Sequence, residues 1–200
     1  MTAVPKIPPS SWRTGGGVSR SRNSSRSAKV GHASRCGPSC QERLARPRQD
    51  QGVYSAIAAE PYLRRDDHPS LLAALGVVPP TPLIEREVMR QTMEDVLADW
   101  DWDSVWSWDF PVVAMTAARL GDAGTAVDAL LMDRSKNTFL ANGHNPQRGN
   151  RLPLYLPGNG GLLAAVSLMV GGWDGADRPA PGLPDDGTWE VEFEGFHPWP

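Results

Sequence analysis

Between residues 100 and 121 the chain reads WDWDSVWSWDFPVVAMTAARLG, with four of its eight tryptophans and three aspartates in the first ten residues. Indole faces pack on the C–H surfaces of sugar rings, and carboxylates accept hydrogen bonds from sugar hydroxyls, so this composition suits a carbohydrate site. An aromatic plug between helices, with aspartates capping the helix starts, is the other reading of the same residues. In an extended segment Trp106 and Trp108 share a side. Pro111 biases Phe110 towards extended backbone, which leaves Asp109 at a helix mouth where the macrodipole favours its charged form. At least one of the two indoles is then expected to border a cavity, together with Asp109 and part of the 142–145 loop.

Two other stretches hold suitable groups. Asp66, Asp67 and His68 precede Pro69 at the mouth of a predicted helix and suit acid–base or ligand-binding work, or a solvated cap. Asn142, His144, Asn145 and Asn159 bring neutral hydrogen-bonding groups to a long loop, as sugar recognition needs, although Asn also builds ordinary turns.

The elements that position these groups are mostly helical. RRDDHPSLLAALG (64–76) reads as a helix capped at Asp67 or His68 and closed by Gly76. Thr81 is expected to cap a longer helix with Pro82 in its first turn. Its stripe runs through Ile84, Val88, Met89, Thr92, Met93, Val96, Leu97 and Trp100. Pro111 opens VVAMTAARL, Gly121 stops it, and TAVDALLM (125–132) returns as the second arm of a helical hairpin. Residues 133–160 form a loop, and its end, PGNGG, points backbone N–H groups outward. Without a Walker lysine or a dinucleotide fingerprint, that loop is a poor phosphate cradle. GGLLAAVSLMVGG (160–172) is apolar nearly all round and is expected to be buried between neighbours. TWEVEFEGF alternates Trp189, Val191 and Phe193 with Glu190, Glu192 and Glu194, which predicts a half-buried antiparallel strand near 188–196.

Charge divides the chain. Of its 200 residues, 1–50 carry ten Lys/Arg against two Asp/Glu, and 51–200 carry ten against twenty-one, a formal −11. The basic part is rich in Ser, Arg, Gly and Pro without apolar periodicity, so residues 1–50 are expected to be disordered or to lie outside the natural protein. Its arginines lack the interleaved aromatics of a nucleic-acid arm, and no nucleic-acid partner is expected. It also lacks the amphipathic helix of a transit peptide. Cys36 and Cys40 are the two cysteines, and a lone C-x₃-C is a poor metal signature. Neither metal nor cofactor is expected. With 40% hydrophobic residues the remainder can bury a core. No apolar run reaches membrane length and no secretory h-region is present, so the chain reads as cytoplasmic, with no membrane partner. Its oligomeric state is open.

Taken in order, DDHPSLLAALG, TPLIEREVMRQT, WDWDSVWSWDFPVVAMTAARLGD, NTFLANGHN, LPLYLPGNGGLLAAV, GWDG and WEVEFEGF resemble the carboxy-terminal part of bacterial six-hairpin glycosidases. These are (α/α)₆-toroid glycoside hydrolases near the α-L-fucosidases and maltose-phosphorylase-like enzymes. The resemblance covers about residues 51–200. It implies a mainly α fold that is part of a toroid, with a carbohydrate or glycoside as ligand. It also implies an incomplete catalytic domain, because the general-acid glutamate of those enzymes lies in a region this chain lacks. Their Asp-Gly-Asn-Phe-Gly loop, whose Asp assists the catalytic water, is here Pro157-Gly158-Asn159-Gly160-Gly161. Proline cannot act as a carboxylate, so that role does not carry over and the catalytic residues stay unassigned. The expected sugar-binding residues are Asp67, His68, Trp106, Trp108, Asp109, Asn142, His144, Asn145 and Asn159. A non-catalytic carbohydrate-binding or interaction module is the alternative, and an inactive remnant a third.

Overall fold

The structure, a computed structural model, describes residues 44–200. The expected disorder of the basic segment therefore falls almost wholly outside the described residues, as do Cys36 and Cys40. One compact unit runs from Ala45 to Pro200, so the boundary placed at residue 50 lies inside it. β1 (Gln49–Asp50) and β2 (Val53–Tyr54) form an antiparallel hairpin across the boundary. Gln51 and Gly52 both have positive φ, at 50° and 86°, the conformation that a two-residue hairpin turn requires.

The rest is helical: α1 (Ala73–Gly76), α2 (Arg86–Asp99), α3 (Asp109–Leu120), α4 (Ala123–Leu131) and α5 (Leu156–Gly171). The hairpin docks on α2. Tyr54 N–H donates to Thr92 Oγ1 at 2.9 Å, and the Tyr54 hydroxyl accepts from Glu85 N–H at 2.7 Å. Holding Glu85 in extended backbone delays the start of α2 to Arg86, beyond the expected cap at Thr81. Thr81 and Pro82 instead enter a turn in which Ile84 N–H donates to Thr81 O. The stripe itself faces the core as the spacing requires: Met89, Thr92, Met93, Val96 and Trp100 are buried.

All twelve residues of α3 are buried, so it is the axis of the unit, packed by α1, α2, α4 and α5. Gly121 ends α3, and Asp122 Oδ1 accepts from Thr125 N–H at 3.0 Å to start α4, which completes the expected helical hairpin.

Three expectations about local structure are corrected. The helix expected over 64–76 is confined to a 3₁₀ turn at Ser70–Leu72 and the four residues of α1. Asp67 Oδ1 accepts from His68 N–H at 2.8 Å, and this local bond competes with helix formation. The PGNGG stretch is the first part of α5, not a loop. That helix is covered on one side only, leaving Leu156 and Leu163 about two-thirds exposed. Finally, residues 189–194 make no backbone hydrogen bond among the described residues and form no strand. Trp189 and Phe193 are exposed. Alternation specifies which faces a strand would present, but a strand forms only against a partner. The segment after it does return to the body, where Trp199 N–H donates to Gly172 O and Asp174 N–H to Trp199 O.

Among the described residues no helix is long and apolar enough to cross a membrane.

Candidate functional site: a histidine held by a buried aspartate between two indoles

The WDWDSVWSWD segment is a series of turns rather than an extended strand. Trp108 has φ −72° and ψ −16°, and Asp109 N–H donates to Trp106 O at 3.0 Å. The expected alternation of Trp106 and Trp108 therefore does not apply. Asp109 closes the turn from its side chain, with Oδ2 accepting from Trp106 N–H at 2.8 Å. The same oxygen is 2.7 Å from Nδ1 of His68. His68 thus sits between the two indoles, its ring centroid 6.2 Å from that of Trp106 and 5.1 Å from that of Trp108. Trp102 plays a different part, stacked on Phe110 in the core at 5.4 Å.

Burial separates the partners. The Asp109 side chain is 1% exposed and that of His68 is 32% exposed. Asp109 sits at the first position of α3, but its carboxyl is pushed above the ordinary value. Burial is the main cause, the hydrogen bonds from His68 and Trp106 and the His68 charge oppose it, and the nearby Asp67 charge adds to it. The expectation that the helix dipole would favour the ionised form is corrected, because desolvation outweighs it. The other carboxylate oxygen, Oδ1, is buried without a partner, as is the Ser107 hydroxyl. Asp109 therefore does not reach solvent; it orients an imidazole that does.

Trp108 borders two cavities. One, of about 270 Å³, is also lined by Arg64, Asp67, His68 and Ser70. The other, of about 410 Å³, is lined by Tyr155, Val112, Met115 and the start of α5. Asp66 and Asp67 are largely exposed and pair with Arg64 at 3.5 and 3.6 Å. Tyr155 packs edge-on against Trp106 at 5.0 Å. Burial, and secondarily the Asp109 charge, raises the Tyr155 phenol above its ordinary value, so the phenol stays protonated at neutral pH.

The loop before α5 joins the site through Gln147, which was not expected, braced by Asn145, which was. Asn145 is fully buried, donating from Nδ2 to Lys136 O and Thr138 O and accepting at Oδ1 from Gln147. Gln147 Oε1 in turn accepts from Ser107 N–H at 3.0 Å, tying the loop to the tryptophan segment. Gly158 lets α5 approach this junction: a Cβ there would lie 2.3 Å from Ser107 Oγ and 2.5 Å from Asn145 Oδ1. Asn142 is exposed and accepts from His144 N–H in a tight turn. His144 is half-buried, and its backbone carbonyl accepts from Leu140 N–H. Asn159 donates to Gly143 O at 2.9 Å. Asn145 and Asn159 hold the loop together; none of these four polar residues lines either Trp108 cavity.

The structure thus brings together Asp67, His68, Trp106, Trp108 and Asp109 and leaves the Asn/His loop as their support. It adds four residues that sequence reasoning missed. Tyr155 and Gln147 are two. The others are the cations Lys136 and Arg148, whose charged atoms lie 5.9 and 5.2 Å from the Trp106 ring centroid. Tyr155 had a signal, an aromatic with a polar end in the LPLYLP run, whereas Lys136 and Arg148 were two of four Lys/Arg in residues 133–160 with nothing to single them out. Gln147 had none. Among the described residues no group of three or more His, Cys, Asp or Glu could hold a metal. In comparisons with known proteins, the chain matches no family model, no curated protein and no solved structure.

Proposed function

We propose that this protein is a glycoside hydrolase-related carbohydrate binder whose sugar site lies at the Trp108 cavities, its helices representing part of an (α/α)₆ toroid. The observation that carries the reading is the placement of His68 between Trp106 and Trp108 with its Nδ1 on a buried carboxylate. Nδ1 is taken up by Asp109, which leaves Nε2 as the imidazole nitrogen free to bond a sugar hydroxyl. Trp108 supplies an apolar face, and Asp67 supplies a carboxylate beside it. A stacked indole beside a few fixed polar groups is how pockets hold polyhydroxylated rings.

Hydrolysis asks for more. It takes two carboxyl groups facing the scissile bond across roughly 5–9.5 Å. Asp109 is sealed behind His68, while Asp66 and Asp67 are chain neighbours engaged with the same arginine. That arrangement favours the second reading within the same chemistry, a binding module without turnover of its own. Titration of the full chain with neutral mono- and oligosaccharides by calorimetry tests the proposal. Saturable binding that weakens about tenfold in Trp108→Ala is the expected result. The proposal fails if no saccharide binds saturably, or if Trp108→Ala binds as the parent does.

A further inference from the structure

Granted the carbohydrate reading, on which this inference rests, the charges around Trp106 specify the class of glycan. Residues 51–200 hold ten basic against twenty-one acidic side chains, so cations in this unit have many acids to pair with. Arg64, Arg65, Arg90 and His68 do so. Lys136 and Arg148 are among the seven of the ten Lys/Arg of this range that do not, among the described residues, and what sets these two apart is that they share the Trp106 ring. Lys136 Nζ donates one hydrogen bond, to Gln147 O at 2.6 Å, which leaves two of its protons free. The Arg148 guanidinium makes no hydrogen bond among the described residues. Both are drawn to the Trp106 ring, and that ring is also the one on which Tyr155 packs.

The acids near the site are committed elsewhere. Asp109 is taken up by His68 and Trp106, and Asp66 and Asp67 share Arg64. The site therefore has two unlike parts. The Arg64–Asp67 pair and the His68 imidazole line the His68 cavity, and two cations without a carboxylate partner among the described residues, one planar and one a point charge, stand at Trp106.

We propose that the glycan bound here is anionic, with a carboxylate, sulfate or phosphate group lying against Arg148 and Lys136 while neutral hydroxyls of the same glycan face His68 and Asp67. Arg148 offers the planar fork that suits a carboxylate or sulfate, and charge-assisted bonds of this kind are about twice as strong as neutral ones.

The test compares trigalacturonic acid with its fully methyl-esterified form, which keeps the ring shapes and removes the charge, by calorimetry on the full chain. A chondroitin sulfate tetrasaccharide, mannose 6-phosphate and inorganic sulfate distinguish the anion types. At least one acidic glycan is expected to bind about tenfold tighter than a neutral counterpart, with the gap closing as salt is raised. Arg148→Gln should abolish the preference, and Arg148→Lys should keep part of it. Arg148 is exposed, so these variants are expected to fold. Equal affinity for acidic and neutral glycans, or a preference that survives Arg148→Gln, overturns the assignment while the carbohydrate reading stands. Inorganic sulfate binding as tightly as the sulfated glycan would show a bare anion site and overturn the glycan. Failure of every saccharide to bind would remove both proposals.

Discussion

Asp109 Oδ2 lies 2.7 Å from Nδ1 of His68, 41 residues earlier in the chain, and it is the bond that joins the start of α3 to the loop before α1. Two donors depend on that oxygen, the imidazole and Trp106 N–H. Asp109→Ala leaves both without it, and a buried donor without a partner costs roughly 1–3 kcal/mol. The urea midpoint of Asp109→Ala should fall accordingly. An unchanged midpoint would mean that the pair adds nothing to the fold.

Asp109 also sets a pH dependence. Its carboxyl is raised above 3.8 in the folded protein, chiefly by burial. A raised carboxyl favours the protonated folded form, so its contribution is fully present below the ordinary aspartate value and is lost as pH rises through the raised one. The stability of the parent relative to Asp109→Asn should therefore decline as pH increases from the ordinary value upward. Making the comparison in a His68→Gln background removes the imidazole's hydrogen bond and charge, two of the three influences that lower the carboxyl. Paired urea titrations across the acid range read it directly, and a difference that grows with pH contradicts the assignment.

Two glycines of α5 differ in what surrounds them, and the difference gives a packing test. A Cβ at Gly158 would collide with Ser107 and Asn145, whereas at Gly160 nothing lies within 4 Å. Gly158→Ala should cost about 1–3 kcal/mol by overpacking. Gly160→Ala, within the same helix, should stabilise by roughly 0.5–1 kcal/mol. Thermal unfolding of the two variants should move in opposite directions; a matched shift would show that α5 does not press on the tryptophan segment.

Much of this was legible in the sequence. The stripe of α2, the stop at Gly121 and the α3–α4 hairpin follow from helical periodicity and from glycine as a helix stop. The meeting of His68 with Asp109 was not legible, since no local pattern encodes a contact over 41 residues. Both residues were picked out for their chemistry alone. The turn at 106–109 escaped because an aspartate that bonds backwards to Trp106 N–H looks, in sequence, like a helix cap that bonds forwards. The strand expected at 188–196 failed for want of a partner, which alternation cannot supply.

Gln147 connects loop and site through one amide. Gln147→Ala removes the acceptor for Ser107 N–H and the donor to Asn145 Oδ1 and Lys136 O. A loss of roughly 1–3 kcal/mol is expected for the buried group left unpaired, with a change in tryptophan emission as Trp106 loses its support. Gln147→Glu keeps the acceptor and should retain more of the emission than Gln147→Ala. Equal spectra for all three proteins would detach the loop from the site.

The central claim is that carbohydrate meets the protein at Trp108 and His68, and indole N–H resonances of the full chain under glycan titration test it most directly. The Trp108 resonance should shift saturably, with Trp106 following, while that of Trp102, stacked on Phe110 in the core, stays in place. A titration that leaves Trp108 unmoved, or that shifts the exposed Trp189 instead, would contradict the account.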